Sequence, residues 1–142
     1  MIYKWLIVLF LIPQISFAQV EIPRTEEEAL ERYVSNHPLV DLFIPQKEVF
    51  LEIIRAESGF NPQAVNWNCL YGKKSMSCKK EDRDNAWSVD CSLAQINYKG
   101  KSCPKYLMDI DINIAQAVNL YLQRGFQPWN ASKKTWKLSL SG

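Results

Sequence analysis

Glu57 has the sequence setting best suited to chemistry. Val49, Ile53 and Glu57 recur at i, i+4 and i+8, and Phe50 and Ile54 fill the same stripe. On a helix, the carboxylate therefore projects from the face otherwise given to the core. A carboxyl group there loses hydration, which disfavours its charged form and raises its pKa, as a general acid working near neutral pH requires. The competing reading is a frayed helix end with Glu57 in water, and periodicity alone leaves both open. Metal and thiol chemistry find less support. The only histidine, His37, stands beside Pro38, far upstream of Cys69, Cys78, Cys91 and Cys103, and no C-x-x-C pair occurs. Zinc binding and a Cys–His nucleophile are disfavoured, no metal or cofactor is expected, and His37 reads as an ordinary helix-end residue.

The elements that must position Glu57 are legible around it. Thr25-Glu26-Glu27-Glu28 is a capping box and predicts a helix carrying Leu30, Tyr33 and Val34 on one face, ending near Asn36 before His37-Pro38. The helix bearing Glu57 opens at Pro45 and runs to Gly59, a good left-handed stop, after which Asn61-Pro62 turns the chain. Helical spacing returns from about Asp109, where Ile110, Ile114, Ala117, Val118 and Tyr121 form a stripe with Gly125 just past its end. Phe126, Trp129 and Trp136 lie in the tail beyond. Between Asn66 and Lys105 all four cysteines occur with little helical periodicity, which predicts a loop-rich lobe with room for a short β-hairpin. The expected fold class is mainly α (α+β), with a groove where the two textures meet.

The chain has 142 residues, 17 Lys plus Arg against 15 Asp plus Glu, 47% hydrophobic and 23% charged residues. That is one globular domain, and its near-neutral charge excludes a supercharged nucleic-acid binder. Aromatic residues reach 12%, including 5 Trp, which leaves rings available for a ligand groove. Lys4, the apolar run from Trp5 to Ile12, Pro13 and then Ser16-Phe17-Ala18 read as a secretory signal peptide over residues 1–18, leaving 19–142 as the domain. The run is shorter than the roughly 20 apolar residues needed to span a bilayer, so no membrane anchor is expected after cleavage. An exported chain, periplasmic or extracellular, is expected to pair its cysteines. Four cysteines allow three pairings; Cys69 with Cys78 and Cys91 with Cys103 close the shorter loops, and the others stay open.

Three blocks resemble a known family. Glu57-Ser58-Gly59-Phe60-Asn61-Pro62, after an apolar helix, resembles the E-S-x-F-N segment of the soluble lytic transglycosylase (SLT) domain, a lysozyme-like fold acting on peptidoglycan. Ser92-Leu93-Ala94-Gln95-Ile96-Asn97 resembles its G-L-x-Q-I motif. Leu107, Asp109, Asn113-Ile114, Ala117 and Tyr121-Leu122 are similar to its L-x-D turn and N-I-x-x-A helix. The blocks stand in the family's order over residues 45 to 130. The resemblance implies Glu57 as the single catalytic acid and then base, cleaving after N-acetylmuramic acid to give a 1,6-anhydro product. It implies Ser58 as an orienting or sugar-contacting residue, and Gln95 and Asn97 as groove residues holding N-acetyl or hydroxyl groups. The implied partners are peptidoglycan glycan strands and, as for other small exported members, a cell-envelope secretion or conjugation apparatus.

The departures are specific. Ser92 stands where the family usually has Gly, Ala94 where a larger apolar residue is common, and no A-Y-N-x-G segment follows to support the glutamate; Trp129-Asn130 occurs near there. The segment Ser88 to Asn97 also resembles the c-type lysozyme stretch that carries that enzyme's second carboxylate, which makes Asp90 a substrate-facing candidate and a hydrolase using Glu57 with Asp90 the runner-up. A wall-binding module without turnover is the non-enzymatic alternative. Trp67, Trp87 and Trp129 read equally as sugar platforms or as packing, with Trp129 carried as a candidate binding residue. The lysines at 73, 74, 79 and 80 read as solvated surface, and Asn130-Ala131-Ser132 as a sequon without consequence.

Overall fold

A computed structural model describes residues 25–139; the expected signal peptide and the first residues of the expected domain lie outside them. The first helix, α1, spans Glu26–Ser35, with Thr25 as N-cap accepting from the Glu28 amide as the capping box predicts. His37 then caps a further helix that the sequence reading lacked, α2 at Pro38–Phe43, its Nδ1 accepting from the Leu39 amide at 3.2 Å. Six residues give too little periodicity to reveal α2, but proline at its first position is a start signal. The Glu57 helix, α3, runs Lys47–Ser58, two residues inside the expected start, and ends on Gly59 at φ 60°, where the left-handed turn favours glycine.

The middle segment is more ordered than the expected loop-rich lobe. Strands β1 (Val65–Tyr71), β2 (Lys74–Ser77), β3 (Ser88–Cys91) and β4 (Ile96–Tyr98) form one antiparallel sheet in the order β2-β1-β3-β4. Short strands with asparagines and serines on one face hide from hydrophobicity-based reading. By alternation Val89, Cys91 and Ile96 turn to the core, while Asn66, Asp90 and Asn97 form a row across β1, β3 and β4 on the other face. The disulfides are Cys69–Cys78, which joins β1 to the chain beyond β2, and Cys91–Cys103, which ties β3 to the segment leading back to the helices. Such bridges belong to an oxidising, extracytoplasmic setting, and no described helix is long and apolar enough to cross a membrane.

Helix α4 spans Ile110–Arg124, capped by the Asp109 side chain on the Ile112 amide, and α5 spans Lys133–Ser139 after a 3-10 turn at Gln127–Ser132. The core gathers Val34, Val40, Phe50, Ile53 and Ile54 from the first three helices, Val89, Leu93 and Ile96 from the sheet region, and Ile114, Ala117 and Val118 from α4. The molecule is thus a helix-rich α+β domain, with the β3–β4 turn bonded to the end of α3 that carries Glu57. One buried polar residue joins the halves. Asn113 on α4 accepts from the Ala94 amide at 2.9 Å and donates to the carbonyls of Cys91 at 2.9 Å and Leu107 at 3.0 Å, so it ties the end of β3, the turn after it and the segment before α4 through backbone groups that hydrophobic packing could not orient.

Replacing Cys91 and Cys103 by serine should lower unfolding free energy by about 3 kcal/mol, the loop-entropy value for a closure of this size, when urea unfolding is followed by circular dichroism. No loss would mean that the Asn113 bonds alone hold the β3–β4 turn.

Candidate active site

Glu57 sits in the last turn of α3, with the core residues Ile53 and Ile54 one turn before it. It opens into a cleft of about 460 Å³ between the sheet and the C-terminal helices. Asp90, Gln95, Ile96 and Asn97 line the sheet side, Gln116, Leu120 and Arg124 the α4 side, and Gln127, Pro128, Trp129 and Ala131 the end. Of the expected site residues, Glu57, Asp90, Gln95, Asn97 and Trp129 therefore meet in one cleft. Ser58 is not among its lining; its hydroxyl donates to the Leu93 carbonyl at 2.7 Å and anchors the end of α3 to the β3–β4 turn.

The two carboxyl groups sit in contrasting environments. Burial pushes the Glu57 carboxyl above its ordinary value, a hydrogen bond from the Ser132 hydroxyl pulls against that rise, and the negative charge of Asp90 adds to it. The carboxyl also lies at the negative end of the α3 dipole, which acts in the same direction as burial. Asp90 instead accepts side-chain amide bonds: Oδ1 from Asn97 at 2.7 Å, and Oδ2 from Asn68 at 2.8 Å and Asn66 at 3.2 Å. The Asn97 and Asn68 amides also donate to Ser88 Oγ, at 3.0 and 3.3 Å. Three donors match the acceptor-only inventory of an ionised carboxylate. One cleft thus holds a carboxyl biased toward its neutral form beside one surrounded by donors, the arrangement that divides acid and anion roles between two carboxyls.

The remaining candidates divide between cleft and scaffold. Gln95, which lines the cleft, spends its amide on Ser92 O at 2.8 Å and Ala64 O at 3.3 Å, and its side-chain oxygen has no partner among the described residues. Trp129 is only 3% exposed; its ring meets Phe50 edge-on and its indole N–H donates to Ala94 O at 2.9 Å, so it forms a wall of the cleft rather than an open stacking platform. Trp67 lies under the Arg83 guanidinium, whereas Trp87 is 41% exposed and bonded to Ser75.

The backbone carries strain around the cleft. Among the described residues other than glycine, only Phe60, Ser92 and Gln95 have positive φ, at 57°, 61° and 49°. All three lie where α3 and the β3–β4 turn meet, and such strain persists only when neighbouring contacts fix it. Ser92 at φ 61° explains why a glycine would suit this position, and its Oγ is the one buried side-chain polar atom without a partner among the described residues.

Sequence reading did not find Ser132, Asn66, Asn68, Gln116 or Arg124. Asn66 and Asn68 carry the i, i+2 signal of one strand face, and Gln116, Leu120 and Arg124 the i, i+4, i+8 signal of one helix face. Ser132 has no local signal, because its meaning arises only when the tail folds back over α3. Comparison with known families, curated proteins and solved structures finds no match to this chain.

Two stability predictions follow from this geometry. With its pKa raised above the ordinary 4.5, Glu57 holds its proton more tightly folded than unfolded, so its contribution to stability falls as pH rises from 4.5 through the folded value. Glu57→Gln, uncharged throughout, should therefore be more stable than wild type at pH 7 in urea unfolding, and the gain should vanish below pH 4.5. A gain independent of pH would point to packing instead. Ser92→Gly should stabilise by about 1 kcal/mol, since it relieves the left-handed strain and removes the unpartnered hydroxyl; a loss in the same measurement would show that the hydroxyl has a partner after all.

Proposed function

We propose that this protein is an exported lytic transglycosylase with a lysozyme-like fold, cleaving the β-1,4 bond between N-acetylmuramic acid and N-acetylglucosamine in peptidoglycan. The observation that carries the proposal is the half-buried Glu57, whose carboxyl is pushed upward by burial and opens into a cleft lined by Asp90, Gln95, Asn97 and Gln116. An acid that must work near neutral pH needs that shift, and a glycan needs a trough of hydrogen-bonding side chains. The order of the three sequence blocks resembling the SLT domain supports the choice of substrate.

In the reaction, Glu57 as the neutral acid gives its proton to the bridging oxygen while the muramoyl C1–O bond breaks. Positive charge grows at C1 and the ring oxygen, and the amide-held Asp90 carboxylate faces the same cleft as a fixed negative charge that stabilises it. Glu57, now the carboxylate, takes the proton of the muramoyl C6 hydroxyl, whose oxygen bonds to C1 and closes the 1,6-anhydro ring. No water enters, and Glu57 ends protonated, ready for the next bond.

The position of Asp90 favours a second reading. A carboxylate in the same cleft is what a retaining hydrolase uses as nucleophile or as stabiliser of a water-accepting intermediate. The readings differ in how much they ask of Asp90. Peptidoglycan fragment release by Glu57→Gln should fall by about a thousandfold, as expected for loss of the acid and base together. Asp90→Asn, which removes a stabilising charge but no proton-transfer group, should lower release by about a hundredfold, less than Glu57→Gln does. A fall for Asp90→Asn as deep as that for Glu57→Gln would move the assignment to the hydrolase, and full activity in Glu57→Gln would end both.

A further inference from the structure

Ser132 stands at a point where one proton faces two acceptors. Its Oγ is within hydrogen-bond distance of Glu57 Oε1 and, at 3.1 Å, of the Trp129 carbonyl. A hydroxyl has a single proton to donate. The Trp129 carbonyl has a second donor in the Trp136 indole N–H at 3.4 Å, whereas Glu57 Oε1 has none other among the described residues. Because the indole already serves the carbonyl, and because Oε1 becomes the stronger acceptor once Glu57 is ionised, the hydroxyl proton belongs to Oε1.

The other oxygen of the carboxyl differs in kind. Glu57 Oε2 accepts no bond from the described residues, yet it is not sealed away: the only buried, unpartnered side-chain polar atom among them is Ser92 Oγ. Oε2 is therefore the oxygen open to the cleft. The charged groups around the carboxyl are Asp90 from β3 and Arg124 from α4, both lining the cleft. On α1, Glu27 and Glu31 are taken by Arg55, together with Glu52 of α3 itself. The lysines of α5, Lys133, Lys134 and Lys137, are exposed and line a separate hollow, and the 3-10 turn carrying Ser132 has no charged residue.

We infer that Ser132 is a positioning residue that occupies Oε1 of Glu57 and so reserves Oε2 for both proton transfers. The inference rests on the reading of Glu57 as acid and then base. With Oε1 accepting from Ser132, the carboxyl proton resides on Oε2, directed into the cleft; it passes to the bridging oxygen, and Oε2 then takes the proton of the sugar hydroxyl. Proton count is conserved, and the Ser132 bond persists across both steps, strengthening while Glu57 is charged. The tail thereby supplies, through a short side chain folded back over α3, the glutamate support for which the resemblance offered no segment.

The test follows the Glu57 carboxyl by carbon-13 NMR titration in wild type, Ser132→Ala, Ser132→Cys and Ser132→Thr, alongside turnover of peptidoglycan. Ser132→Ala should titrate at higher pH than wild type, because a donor to the anion is gone; Ser132→Cys, a weaker donor that fills the same space, should shift the same way, and Ser132→Thr should restore the wild-type curve. The same order should appear in kcat, with Ser132→Ala down by about tenfold to hundredfold, KM little changed, and the upper limb of the kcat/KM profile moved upward. A purely structural serine would lower Tm and leave titration and profile in place. Wild-type titration in the Ala or Cys variant, or an Ala-like curve in the Thr variant, overturns the inference. Were wild type inactive on peptidoglycan while the titrations moved as stated, the proposed function would fall and the hold of Ser132 on Oε1 would stand.

Discussion

The structure turns on a carboxyl group kept partly out of water at the C-terminal end of α3. Burial and the helix dipole push Glu57 toward its neutral form, and the Ser132 hydroxyl partly offsets them. A group with only the first influence would hold its proton too firmly to act as an acid, and a group with only the second would have lost it already. In the proposed reaction, balance between the two is what would let one side chain donate and then accept. The stability given up in burying Glu57 is supplied by the core around it, where Phe50, Ile53 and Ile54 on the same helix are fully enclosed.

The surrounding fold keeps that carboxyl in register with the opposite wall. Ser58, next in the chain, is bonded to the Leu93 carbonyl, and the turn holding Leu93 is gripped by Asn113 and by the Trp129 indole through Ala94. The same turn carries the strained backbone of Ser92 and Gln95, and its base is tied by the Cys91–Cys103 bridge. Two halves of the molecule with different textures are thus joined by directional bonds, because apolar packing alone tolerates the small slides that would misalign a cleft. Across the sheet, the side-chain amides of Asn66, Asn68 and Asn97 orient the second carboxylate.

What was legible in the sequence were the features with local rules. The N-cap at Thr25, the left-handed stop at Gly59 and the stripe from Ile110 to Tyr121 are each set by local rules, and each appears as read. Loop length favoured the observed cysteine pairing, and the core face of α3 gave the setting of Glu57. The sheet was underread because its strands are three to seven residues long and its polar face is built of asparagine and serine, residues that also signal turns. Ser132 and the indole contact of Trp129 were invisible for a different reason: the tail contacts α3 and the β3–β4 turn across 75 and 35 residues, and no spacing rule reaches that far.

A cleft with one carboxyl biased toward its neutral form and one amide-held carboxylate is the basis of the proposed cleavage of a sugar bridge in peptidoglycan. Mass spectrometry of the fragments released from purified peptidoglycan tests this most directly. The account predicts fragments ending in 1,6-anhydro-N-acetylmuramic acid, produced by the natural chain and absent when Glu57 is replaced by Gln. Fragments with ordinary reducing ends, release that persists without the carboxyl, or no release at all would contradict it.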